Sequence, residues 1–136
     1  MPSSSPAPRP VKTLEEVVQE VGDYPRQAFE FVHRGLNYTV EQLHGQETDP
    51  EADHHVTGRQ LCEGLRQFAL LQWGMMAKTV LARWNIQSTM DFGWIVFALV
   101  DNGMLSKTAH DTLDDFRGVY DFRKAFEADF KIGAAP

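Results

Sequence analysis

Imidazoles and carboxylates crowd one stretch of this chain: His44, Glu47, Asp49, Glu51, Asp53, His54 and His55. These are the usual borderline and hard ligands for divalent metals, so His44, Asp53, His54 and His55 form the metal candidate, and a transition metal is the ion they would suit. The spacing matches no established site. There is no His-x-x-x-His pair, and the stretch lacks the glycine and closing glutamate of a calcium hand. A solvated acidic loop is the simpler expectation, and no cofactor is expected. Cys62 is a lone thiol beside a helical apolar stripe, with no nearby helix start or histidine to activate it, so it reads as a packed small hydrophobe. Asp111, Asp114 and Asp115 read as a solvated acidic face. Lys78, Arg83 and Lys107 are the cations available for an RNA- or ribosome-associated role.

Other chemistries lack their motifs. None of the ten glycines forms Gly-x-Gly, and no Gly-Lys-Ser/Thr loop offers a cradle for nucleotide phosphates. No Gly-x-Ser-x-Gly elbow is present. A formal charge of −6 weighs against a general polyanion or anionic-membrane role. One cysteine excludes an internal disulfide. No apolar run reaches the length of a membrane span, and the N-terminus shows no hydrophobic signal region, so the expected location is the cytoplasm.

The elements that would position these residues are helical. The expectation is a mainly α, compact single-domain bundle over 13–131, with a Pro/Ser-rich disordered leader at 1–12 and a frayed end at 132–136. Thr13 with Glu16 is a capping box for a helix from Leu14 to about Val21, stopped by Gly22. Pro25 opens a second helix reaching Leu43 or His44, with Ala28, Phe29, Val32, Leu36, Val40 and Leu43 as its stripe. Gly35 inside it marks a close helix crossing. Thr57 with Gln60 caps a third helix through Leu61, Leu65, Phe68 and Ala69 to Trp73. A break at Gly74 separates it from a helix packing Met76, Val80, Leu81 and Trp84 inward.

Between Trp84 and Ser88 lies a tight turn in which Asn85 suits a left-handed backbone. Ser88 and Asp91 then start a helix over Thr89 to Asp101, and Asn102-Gly103 stops it. Helix, turn, helix and a glycine exit trace a helix-turn-helix, winged-helix-like C-terminal half, with 104–106 and 118–122 expected to pair as a two-stranded wing. The chemistry argues against DNA. Residues 89–101 carry no basic side chain, whereas base reading and phosphate contacts need Arg, Lys, Asn or Gln. A helix that apolar is either the core or a surface that meets a partner. The expected function is therefore a non-catalytic protein–protein interaction or self-association module, with Met90, Trp94 and Phe97 as its surface.

Several strings taken together carry a resemblance: Phe31-Val32-His33-Arg34-Gly35-Leu36-Asn37-Tyr38-Thr39-Val40, His55-Val56-Thr57-Gly58, Met76-Ala77-Lys78-Thr79-Val80-Leu81, Phe92-Gly93-Trp94-Ile95-Val96-Phe97, Ser106-Lys107-Thr108 and Gly118-Val119-Tyr120-Asp121-Phe122. They resemble a conserved hypothetical family of planctomycete and verrucomicrobial bacteria over roughly residues 14–130. The resemblance implies a bacterial cytoplasmic origin and carries over no activity, cofactor or catalytic residue.

Overall fold

Helix starts in this chain are set by local side chains. The computed structural model describes residues 13–46, 48–49, 55–105 and 113–126. Helix α1 spans Leu14–Val21, and its capping box is formed: Glu16 N–H donates to Thr13 Oγ1 at 3.2 Å while Thr13 N–H donates to Glu16 Oε1 at 2.9 Å. Helix α2 spans Arg26–His44, preceded by Pro25 in an extended conformation. Helix α3, Gly58–Trp73, starts with the reciprocal Thr57–Gln60 box at 3.0 and 2.9 Å. A 3₁₀ turn at Gly74–Met76 leads into α4, Ala77–Arg83, and α5 spans Thr89–Asp101. A second 3₁₀ turn at Leu113–Phe116 and a helical segment at 122–126 complete the described chain. The expected mainly helical domain is what forms.

The core is built where α2 crosses α3. A Cβ on Gly35 would run into the Leu65 side chain, and one on Gly64 would overlap Thr39 Oγ1. Two glycines facing each other's neighbours let the helix backbones approach closely. Thr39 is buried at that crossing and satisfies its hydroxyl by donating to Gly35 O at 2.7 Å. The buried face of α2 differs in part from the expected stripe. Phe31 and Thr39 turn inward with Ala28, Val32 and Gly35, while Leu43, expected in the stripe, is exposed.

α5 lies across this pair. Phe92, Ile95 and Leu99 are buried, and the Phe92 ring meets Phe31 and Phe122 at centroid distances of 6.4 and 5.6 Å. Its next face is covered by the C-terminal turns: a Cβ on Gly93 would press into the Phe116 ring, and Phe97 meets Phe116 edge-on at 6.2 Å. Buried Thr89 holds that cover, its hydroxyl donating to Phe116 O at 2.6 Å and accepting from Val119 N–H at 3.2 Å.

Two sequence expectations need correction. Met104 and Leu105 form a bend and residues 117–119 a turn and bend, and no strand is among the described residues, so the wing of 104–106 with 118–122 is not formed there. The physical reason is Gly118, whose φ of 57° reverses the chain. Beyond it Tyr120 donates to Cys62 O at 2.7 Å, and Phe122, inside the closing helical segment, is packed in the core. The second correction is Met76, which is exposed. Gly74 takes φ 53° in the 3₁₀ turn that precedes α4, and Ala77 faces the core in place of Met76, beside Leu81, which is buried as expected.

Replacing Gly64 by Val should destabilise the domain by about 2–3 kcal/mol, since Thr39 cannot retreat without losing its hydrogen bond. Thermal unfolding should show this as a midpoint lower by roughly 10 °C, whereas Gly74→Ala meets no neighbouring atom and should cost only the backbone strain of a side chain at φ 53°, ψ −126°, about 1–3 kcal/mol.

Candidate functional site

The turn between α4 and α5 is bound to the turn between α1 and α2. Asn85 takes φ 65°, ending α4 in the left-handed region, and its side-chain N–H donates to Asp23 O at 2.8 Å. Six residues on, the Asp91 carboxylate accepts from Gln87 N–H at 2.8 Å and Ser88 N–H at 3.1 Å through Oδ2, capping α5. Its other oxygen accepts from the Tyr24 hydroxyl at 2.5 Å. A carboxylate accepting from a phenol makes a stronger hydrogen bond than two neutral groups do. The Tyr24 ring is buried against Phe29, edge-on at 6.4 Å.

These contacts enclose one side of an open groove of about 740 Å³. Its floor is apolar, made by Val21 of α1 with Trp94, Phe97 and Ala98 of α5. Its rim is acidic, with Asp23 and Asp91 near the start of α5 and Asp101 at its end. No lysine, arginine or histidine among the described residues lines it. Asp91, Trp94, Ala98 and Asp101 recur at steps of three and four, so they share one stripe of α5. Trp94 is 51 % exposed, the only residue of that helix among the large exposed hydrophobics.

The candidate residues read from sequence fall in different places. Trp94 and Phe97 line the groove, whereas Met90 is half-buried against the core and does not. His44 Nε2 lies 3.0 Å from His55 O, so the two candidate histidines are brought together through a backbone carbonyl. Asp53 and His54 lie outside the described residues, and no group of three metal ligands occurs among the described ones. Lys78 and Arg83 are exposed on α4, with Lys78 beside Gln87, Asp121 and Arg123 around a shallow hollow of about 380 Å³; Lys107 lies outside the described residues. The groove residues that sequence reasoning missed are Val21, Asp23, Tyr24, Ala98 and Asp101, with Asn85 and Asp91 read only as turn and cap residues.

An aromatic cluster elsewhere has different capacities. Phe31, Trp73 and Trp84 line a hollow of about 210 Å³, with ring centroids 5.2–6.0 Å apart. At that separation the rings touch one another, so no ammonium group fits between them as in a cation–π cage. Cys62 is fully buried, and burial pushes its thiol up to about 12, with the nearby Glu63 charge adding to the shift and Arg59 opposing it. A proton held that firmly leaves no thiolate for nucleophilic work at neutral pH.

Comparison with family models, with curated proteins and with solved structures finds no match to this chain. Among the described residues no helix is long and apolar enough to cross a membrane.

Removing the Asp91 carboxylate takes away both the α5 cap and the Tyr24 bond. Asp91→Ala should cost about 2–3 kcal/mol and Tyr24→Phe about 1 kcal/mol, and urea midpoints of the two single variants and the double variant check this. Alkali should act through protons that the fold retains. Cys62 rises from an ordinary value of 9.0 to about 12, and Tyr24 and Tyr120 rise above their usual 10.0, chiefly by burial. The unfolded chain ionises these groups first, so their contribution is fully present below about pH 8 and is lost as pH climbs through 9 to 12. The urea midpoint should therefore fall over that range, and Cys62→Ala should remove the part that begins near pH 9.

Proposed function

We propose that this domain is a non-catalytic interaction module of the cytoplasm that binds another protein through the groove around Trp94. One observation carries the reading. On a helix whose other large apolar side chains are at least half covered, Trp94 stands half in water above an apolar floor. Covering the rest of an indole would remove on the order of 100 Å² from water, which is worth roughly 2–3 kcal/mol. That is the size of contribution expected from an interface anchor, and tryptophan is enriched among such anchors.

Neighbouring features agree with binding rather than catalysis. Asp91 is committed to backbone amides and the Tyr24 hydroxyl, and Cys62 is sealed in the core. The acidic rim and the formal charge of −6 disfavour a nucleic-acid occupant in the groove.

Trp94→Glu should leave the thermal midpoint within a few degrees, as for other exposed positions. The same variant, tagged and expressed in the source cells, should lose the proteins that the wild-type chain captures there. Capture of one identical set by both proteins would refute the groove as the interaction surface. Sedimentation at high micromolar concentration separates the two kinds of partner: a wild-type dimer that Trp94→Glu converts to a monomer would make the occupant a second copy.

A further inference from the structure

We infer that the groove takes a cationic, apolar-anchored peptide segment of a different protein: a Lys or Arg side chain at each end, with one or two large apolar side chains between them over Trp94 and Phe97. This rests on the reading of the groove as the interaction surface and adds the chemistry of what fills it.

The charge pattern is the first argument. Both oxygens of Asp91 are already occupied, by Tyr24, Gln87 and Ser88. Asp23 and Asp101 are exposed, and neither carboxylate has a hydrogen bond or ion pair among the described residues. They mark opposite ends of the groove. Asp23 lies beside Asn85 near the start of α5, and Asp101 is the last residue of α5.

The helix ends give a second, independent argument. Peptide dipoles leave negative charge at a helix C-terminus, where a basic side chain in the last turn ordinarily compensates. Neither α1, which ends at Val21 beside Asp23, nor α5, which ends at Asp101, has a basic residue in its last turn. Each end of the groove therefore combines a helix C-terminus with a carboxylate of the same sign. A cation there is stabilised by both, and a second acidic partner is repelled by both.

The floor decides the middle of the ligand. Val21, Trp94, Phe97 and Ala98 offer no hydrogen-bonding side chain except the indole N–H, so an apolar group belongs there. Length follows from α5. Asp91 to Asp101 is ten residues, a rise of about 15 Å. Two cations spaced four residues apart in an extended segment, about 13 Å, span the two ends. A compact metal ion or a lone amine cannot reach both.

The test uses the full chain labelled with ¹⁵N and three synthetic peptides, each flanked by Gly-Ser: Arg-Leu-Phe-Leu-Arg, Glu-Leu-Phe-Leu-Glu and Arg-Ser-Ser-Ser-Arg. The first peptide should shift the Trp94 indole and the Asp23 and Asp101 amides saturably, at roughly millimolar concentration for so short a ligand. The other two should not. A D23N/D101N double variant should bind it about three- to tenfold more weakly, as should high salt, and Trp94→Glu should abolish binding. Equal binding of the acidic peptide, with Trp94→Glu still abolishing it, would overturn the cationic ligand while leaving the groove as the interaction surface. Absence of any shift with all three peptides, or shifts centred elsewhere, would overturn the inference, as would a wild-type dimer closed over the groove.

Discussion

One carboxylate joins the two halves of this domain. Asp91 caps α5 through the Gln87 and Ser88 amides and holds the Tyr24 phenol from the α1–α2 junction, 67 residues away in sequence. A capping aspartate ordinarily serves its own helix. Here its second oxygen fixes where the N-terminal helices stand against α5, and Asn85, six residues earlier, makes the parallel connection to Asp23 O. The groove exists because these two contacts bring α1 alongside α5 without closing over Trp94.

The opposite side of α5 is settled by a different economy of polar groups. Thr89 is buried in an apolar surrounding, where an unsatisfied hydroxyl would cost free energy, and it is satisfied twice by the backbone of the C-terminal turns. Tyr120 repeats the device against Cys62 O. The cover over α5 is thus anchored by side-chain hydroxyls and aromatic packing in place of a strand ladder. That arrangement gives α5 one wet face and leaves Trp94 on it.

Helix boundaries were legible in the sequence because their causes are local. Thr13 and Thr57 with their partners three residues on, and the left-handed stops at Gly22, Asn85 and Gly103, each need only a few neighbouring residues. Gly35 announced the α2–α3 crossing for the same reason, since nothing else favours glycine inside an apolar stripe. Phase was less legible. The turn after Gly74 rotated Met76 outward, and the strand-like run Val119-Tyr120-Asp121-Phe122 was claimed by core packing before it could pair. The groove itself was half visible: Trp94 and Phe97 stood out by type, but Asp23 and Tyr24 belong to it only through contacts across the fold, which no periodicity encodes.

The three indoles end up in two environments. Trp73 and Trp84 stand edge to face with centroids 5.3 Å apart beside Phe31, while Trp94 stands apart with half its surface in water. The indoles therefore divide by what they report on: the partly buried pair follows the packing of α3 and α4 against Phe31, and the single exposed one follows the solvation of one face of α5.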